Sequence, residues 1–326
     1  MATLVRLLLA VGALAAGGVA VVTAVAVLSR TPGPVAGPSS SRPAAPTSAA
    51  GAAQPTSSAG ALAPPPSAVV FMREDRASVL ALGVTPRRRA LALQASVLSP
   101  QGTGTSGLAI SFTVAGRTVR ATVCGAGCYR STVPAPARPR AVDVAVRGGP
   151  LATRWHVALP AVWPAPDATA LIRRAERTWR SLLSLAYVER LASGPRHATT
   201  SHWRVAAPSS AAYRIPGGAS GIVIGGKRWD RFTPNGRWTE SAQTARITQP
   251  VPFWISATNA HVVGSGTVGG RPVWRVSFFD PSTPAWFVAT LDKATTRTLE
   301  LDMMATSHFM HDTYRAFNSA PAITPP

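Results

Sequence analysis

At 326 residues the chain has room for two ordinary domains, each burying its own core. Its formal charge of +20 is almost all arginine, because Lys227 and Lys293 are the only lysines. No basic helix with interleaved aromatics and no RNA-binding motif accompanies that charge, which argues against nucleic acid and for a basic surface facing anionic lipid head groups.

From Leu7 to Ser29 the chain runs 23 residues without a charge. At about 1.5 Å per residue that is enough to cross a hydrocarbon core of roughly 30 Å. Residues 1–30 therefore read as a transmembrane signal anchor that leaves the bulk of the chain extracytoplasmic at the cell membrane. The alternative is a signal peptide cleaved near Ala24-Val25-Ala26. Residues 31–67 are almost wholly Pro, Ala, Ser, Gly and Thr, the composition of a disordered tether.

Residues 68–162 alternate apolar and polar positions in short runs: SVLALGV, RALALQASVL, GLAISFTV, RTVRATV, CYRSTV, RAVDVAV and TRWHVAL. Turns such as SPQGTGTSG and RGGP separate them, so the expected fold is a β-sandwich. Cys124 and Cys128 bracket a Gly-Ala-Gly turn. Outside the cytoplasm a disulfide is the favoured reading over a soft-metal dithiolate, because no His, Met or acid lies near enough to complete a metal site. The step Gly127-Cys128-Tyr129-Arg130 into an alternating strand resembles the immunoglobulin-like modules of bacterial extracytoplasmic proteins, including those attached to copper-resistance transport proteins.

Residues 163–326 open at Trp163-Pro164-Ala165-Pro166, with Asp167 placed to cap an amphipathic helix that buries Leu171, Ala175, Trp179, Leu182 and Leu183. Strands follow in SLAYVERLAS, ATTSHWRVAAP, AAYRI, GIVIGGKRWDRF and RWTESAQTARI, and then a Pro-rich break leads to a short helix near residues 253–259. AHVVGSGTV, RPVWRVSFFD, AWFVATLD and RTLELDMMATSHFMH close the chain as antiparallel strands. Read as one continuous strand, the last run puts Leu301, Met303 and Phe309 on one face and Met304, His308 and Met310 on the other.

The helix from Ala168 to Leu183, SLAYVERLASG, IVIGGKRWDR, TVGGRPVWRVSFFD and WFVATLDKATTRTLEL resemble the outer-membrane lipoprotein carrier (LolA-like) family over about 160 residues. That resemblance implies a mainly β fold with an incomplete antiparallel barrel whose sheet, closed by helices, takes a lipid or lipoprotein acyl chain. Cavity positions would then include Tyr187, Trp203, Ile224, Trp274, Phe278, Leu301, Met303 and Phe309; the alternative is that these residues only fill a core. The absence of a cysteine after the apolar run favours a tethered receiver or sensor over a free shuttle.

Signatures of catalysis are lacking. Gly264-Ser265-Gly266-Thr267-Val268-Gly269 matches GxGxxG but leads into a strand rather than a helix, and neither a GxSxG elbow nor HExxH occurs. The expected work is non-enzymatic binding, with no resident cofactor. Met304, His308, Met310 and His311 form the remaining candidate, since thioether and imidazole ligands suit copper. A protein-interaction module with a filled core is the third reading.

Overall fold

The computed structural model describes the backbone of 7–11 and 22–26 and the residues 62–149, 151–194 and 198–326. The leader and tether otherwise lie outside the described residues. Within the leader, β1 (Leu7–Val11) and β2 (Val22–Ala26) pair antiparallel, Leu7 opposite Ala26, where the sequence reading expects one helix. Val22, Thr23 and Val25 of β2 are β-branched, which favours extended backbone. Among the described residues no helix is long and apolar enough to cross a membrane.

The rest of the chain, from Ser58, forms one unit. Its first strands are β3 (Val69–Asp75), β4 (Ser78–Arg87), β5 (Ala90–Leu98), β6 (Ala109–Val114), β7 (Arg117–Arg120), β8 (Thr122–Gly125), β9 (Cys128–Pro134), β10 (Ala141–Gly148) and β11 (Leu151–Ala158). They make two antiparallel sheets, β3-β4-β5-β9-β8 and β11-β10-β6-β7. Alternation along each strand turns Leu80, Leu82, Leu91 and Leu93 of one sheet toward Ile110, Phe112, Val144 and Val146 of the other, and the two faces share one core. Each of these buried side chains contributes about 1.5–3 kcal/mol. RTVRATV is two strands rather than one: Ala121 still bonds Ile110 of β6, and the chain then crosses to the other sheet as β8. A disulfide joins Cys124 to Cys128 across the β8–β9 turn, with Cα atoms 5.0 Å apart.

Next come helix α1 (Thr169–Arg180), β12 (Ser184–Ala192), β13 (Ala198–Ala206), β14 (Ser210–Arg214), β15 (Ser220–Ile224), β16 (Lys227–Arg231) and β17 (Thr239–Ala242). The chain closes with β18 (Thr258–Val268), β19 (Arg271–Asp280), β20 (Ala285–Asp292), β21 (Thr298–Ala305) and β22 (His308–Arg315). All eleven strands form one antiparallel sheet in the order β17-β16-β15-β14-β13-β12-β22-β21-β20-β19-β18. Two meanders are thus joined where β12 pairs with β22, and the sheet is open, with β17 and β18 as its edges. Asp167 accepts from both the backbone N–H and the hydroxyl of Thr169, which satisfies an orphan donor of the first turn. Helix α1 buries Ile172, Ala175 and Trp179, whereas Leu183 stays 68% exposed.

No helix forms at 253–259. Residues 243–257 lack regular secondary structure, and β18 starts at Thr258. Pro250 and Pro252 disfavour helical backbone before them, and the buried Trp254 draws the segment onto the sheet.

The sandwich and the large sheet share an apolar cluster. Phe279, Trp286, Phe309 and Ala192 of the large sheet pack with Val70, Val79, Ala81 and Leu98 of the sandwich. Leu62 joins them, and its carbonyl accepts from Ser96, so the last residues assigned to the tether belong to the folded core. Asn259 completes the join by donating to the Pro65 carbonyl at 2.7 Å.

Candidate functional site

The two faces of the large sheet are told apart by what covers them. Trp179 of α1 meets Tyr314 edge-on at 5.0 Å, and Trp254 meets Phe278 at 5.3 Å, so the helix and residues 243–257 cover the same face. The sandwich covers part of the other.

Register sorts the helix-bearing face into three rows. The first is a ladder of rings: Tyr314 lies 5.3 Å from Tyr187, Tyr187 stacks on Trp203 at 5.7 Å, and Trp203 lies 5.0 Å from Tyr213. Opposed pairs two residues along form the second row, Leu301–Asp312–Glu189–Ser201. The third is Phe278–Phe287–Met303–Met310–Leu191, in which Phe278 and Phe287 stack at 5.0 Å.

The middle row is unusual because it places two acids in an apolar setting. Glu189 and Asp312 are opposed across β12 and β22, and both are buried. Burial pushes Asp312 well above the usual carboxylate range, and the neighbouring Glu189 charge adds to the rise. Burial also raises Glu189, less so because Ser201 donates to it at 3.2 Å. Trp203 in turn donates to Ser201 at 2.7 Å, and Tyr314 donates to Asp312 Oδ2. Asp312 Oδ1 has no hydrogen-bond partner.

At the far end Trp254 is 1% exposed, against both Phe278 and Phe287, and its Nε1 also has no hydrogen-bond partner. The segment bearing it is clamped by Asp280, whose Oδ2 accepts from the Ile255 N–H at 2.6 Å. Phe253 on the same segment is 36% exposed and meets Tyr187 edge-on.

Six of the expected cavity residues share this face: Tyr187, Trp203, Trp274, Phe278, Leu301 and Met303. Phe278 and Leu301 are 0% exposed and touch no open space. Trp274 stands at the margin with Lys293 Nζ 3.7 Å from its ring centre. Ile224 and Phe309 do not belong. Ile224 is opposed to Ser210 and Lys227 on the other face, and Phe309 packs against the sandwich.

The Met/His grouping also divides. Thr306 and Ser307 form a turn, so the run read as one strand is a hairpin. Met303 therefore opposes Met310 on the helix-bearing face, while Met304 opposes Phe309 on the other. His311 lies with Met304 and is 2.7 Å from Asp302, and His308 Nδ1 donates to the Thr306 carbonyl. Met304, His308, Met310 and His311 thus do not converge on one ion, and among the described residues no group of three His, Cys, Asp or Glu could hold a metal.

Sequence reasoning missed Glu189, Asp312, Tyr213, Tyr314 and Trp254. The acids had a signal in their placement on apolar alternations, but only register shows that they meet.

No family model and no curated protein matches the chain. Among solved structures it is similar to the Mycobacterium tuberculosis lipoprotein LppX, at 11% identity and TM-score 0.36, over 48% of this chain and 97% of that one. It is also similar to LprF from Mycobacterium bovis, at 10% identity and TM-score 0.35, over 50% and 99%. A third is the LolA superfamily protein NE2245 from Nitrosomonas europaea, at 8% identity and TM-score 0.23, over 48% and 96%.

Proposed function

We propose that the chain is a non-enzymatic binding protein of the cell envelope, anchored through Leu7–Ser29. On this reading it holds an apolar ligand, such as a lipid or a lipoprotein acyl chain, between the helix-bearing face and residues 243–257. An open eleven-stranded sheet with its leading helix on one face supports the half-barrel reading. The orders β4-β5-β9-β8 and β7-β6-β10-β11 correspond to the A-B-E-D and C′-C-F-G arrangement of immunoglobulin domains, which supports that reading of the sandwich. The Cys124–Cys128 disulfide supports an oxidising compartment.

The observation that carries the proposal is Trp254. It is a large side chain on an irregular segment, filling the space above Phe278 and Phe287 with its N–H unpaired. An orphaned buried donor costs about 1–3 kcal/mol, so the segment is held less firmly than its buried area suggests. Trp254 acts as a removable plug, and an acyl chain takes its place over the Phe278–Phe287–Met303 row.

Titration with dansyl-labelled undecanoic acid tests this. Wild type binds, and Trp254→Ala binds more tightly because the plug is gone. No binding by either protein would leave the filled core, with Phe278, Phe287 and Leu301 fully enclosed, as evidence for the alternative of a protein-interaction module.

A further inference from the structure

The outward face of the sheet β11-β10-β6-β7 holds a hollow of about 790 Å³ that has no part in the apolar site. Its floor is Ser111 opposite Ala145, two small side chains. The same cross-strand row continues to Arg120 beside Ser111 and to Arg154 beside Ala145. Three strand spacings put those two arginines roughly 14 Å apart at the backbone, with the floor between them. Arg147, two residues beyond Ala145, closes a third side.

Among the described residues none of the three guanidinium groups has a carboxylate partner. The acid lining the hollow, Asp143, is occupied by His156 Nδ1 at 2.7 Å. Arg154 contributes only its backbone carbonyl, to Arg73 at 3.2 Å. Three like charges over one small-residue floor repel one another, and an anion between them removes that repulsion. Guanidinium forks match the oxygens of phosphate, and Ser111 adds a hydroxyl at the floor. At the other end Asp143, with Thr113 and Thr118 bonded to each other at 2.8 Å, suits a hydrogen-bond donor and repels a second anionic group.

We propose that this hollow binds a phosphate monoester or diester carrying a hydroxylated head, its phosphate among Arg120, Arg147 and Arg154 and its hydroxyls toward Asp143. Such a group occurs free in solution and on glycerophospholipids.

The test uses the full chain in an uncharged detergent, titrated calorimetrically with glycerol phosphate. The chain is also sedimented with phosphatidylglycerol vesicles against phosphatidylcholine vesicles. Wild type binds glycerol phosphate saturably, and the R120Q/R147Q/R154Q variant binds at least about tenfold more weakly, as expected for losing charge-assisted bonds. Its unfolding midpoint stays within a degree or so, because the three side chains are exposed. Arginine-dependent preference for phosphatidylglycerol identifies a lipid head group as the source, and its absence alongside glycerol phosphate binding identifies a soluble ester. Failure to bind either probe, or equal binding by the triple variant, overturns the proposal.

Discussion

Glu189 and Asp312 face each other across β12 and β22, the one pair of strands that joins the two meanders of the large sheet. Both are buried, and the burial of each raises its pKa above the ordinary 4.5 and 3.8. Well below the ordinary 3.8 both are protonated whether the chain is folded or not, and they cost little. As pH rises past the ordinary values the unfolded chain gives up protons that the folded chain keeps, so stability falls until the raised values are passed. Asp312→Asn keeps the shape, still accepts from Tyr314 and adds a donor toward Glu189. It stabilises the fold at pH 7 and flattens the decline above pH 4. Urea unfolding from pH 4 to 8 measures both, and an unchanged profile contradicts the pairing.

The aromatic ladder ends on a glycine for a steric reason. A Cβ on Gly221 would stand 2.4 Å from the Tyr213 ring. Gly221→Ala therefore displaces Tyr213 from Trp203 and destabilises by about 1–3 kcal/mol. Denaturant midpoints read the loss, and full wild-type stability would mean that Tyr213 does not lie over that glycine.

Phe309 was expected in the cavity but belongs to the join between sandwich and large sheet. Phe309→Ala costs about 3–5 kcal/mol. The join is lost with it, so cleavage by thermolysin appears between the two parts before either unfolds. A variant that loses ligand binding without such cleavage contradicts this placement.

Alternation alone made the helix near 169–180 and most strands legible, because period-2 and period-3.6 patterns are local. The turn at Thr306–Ser307 was not, since Ala-Thr-Ser-His carries no Gly, Pro or Asn to mark it, although Ser307 takes φ 56°. That one missed turn reversed the faces of Phe309 and Met310 relative to Met303 and created the grouping of metal ligands. β3 was missed because its start abuts the tether. Ile224 was misplaced, and the Glu189–Asp312 pair unseen, because register between distant strands is set by packing rather than by local pattern.

Trp254 separates a plug from a core residue. Trp254→Phe removes the unpaired N–H while keeping a ring on Phe278 and Phe287, and raises stability or leaves it unchanged, where an ordinary buried Trp loses about 1 kcal/mol or more. Thermal unfolding of the two proteins checks the sign.

On the proposed reading, the residues around Trp254 leave the sheet when an apolar ligand arrives. Amide hydrogen exchange at Ile255, whose N–H is held by Asp280, reports that movement directly. Exchange at Ile255 is predicted to speed up at least about tenfold when dansyl-undecanoic acid is bound, while the amides of β20 and β21 stay protected. Unchanged or slower exchange at Ile255 in the bound protein would mean that the segment stays on the sheet and Trp254 is a core residue rather than a plug.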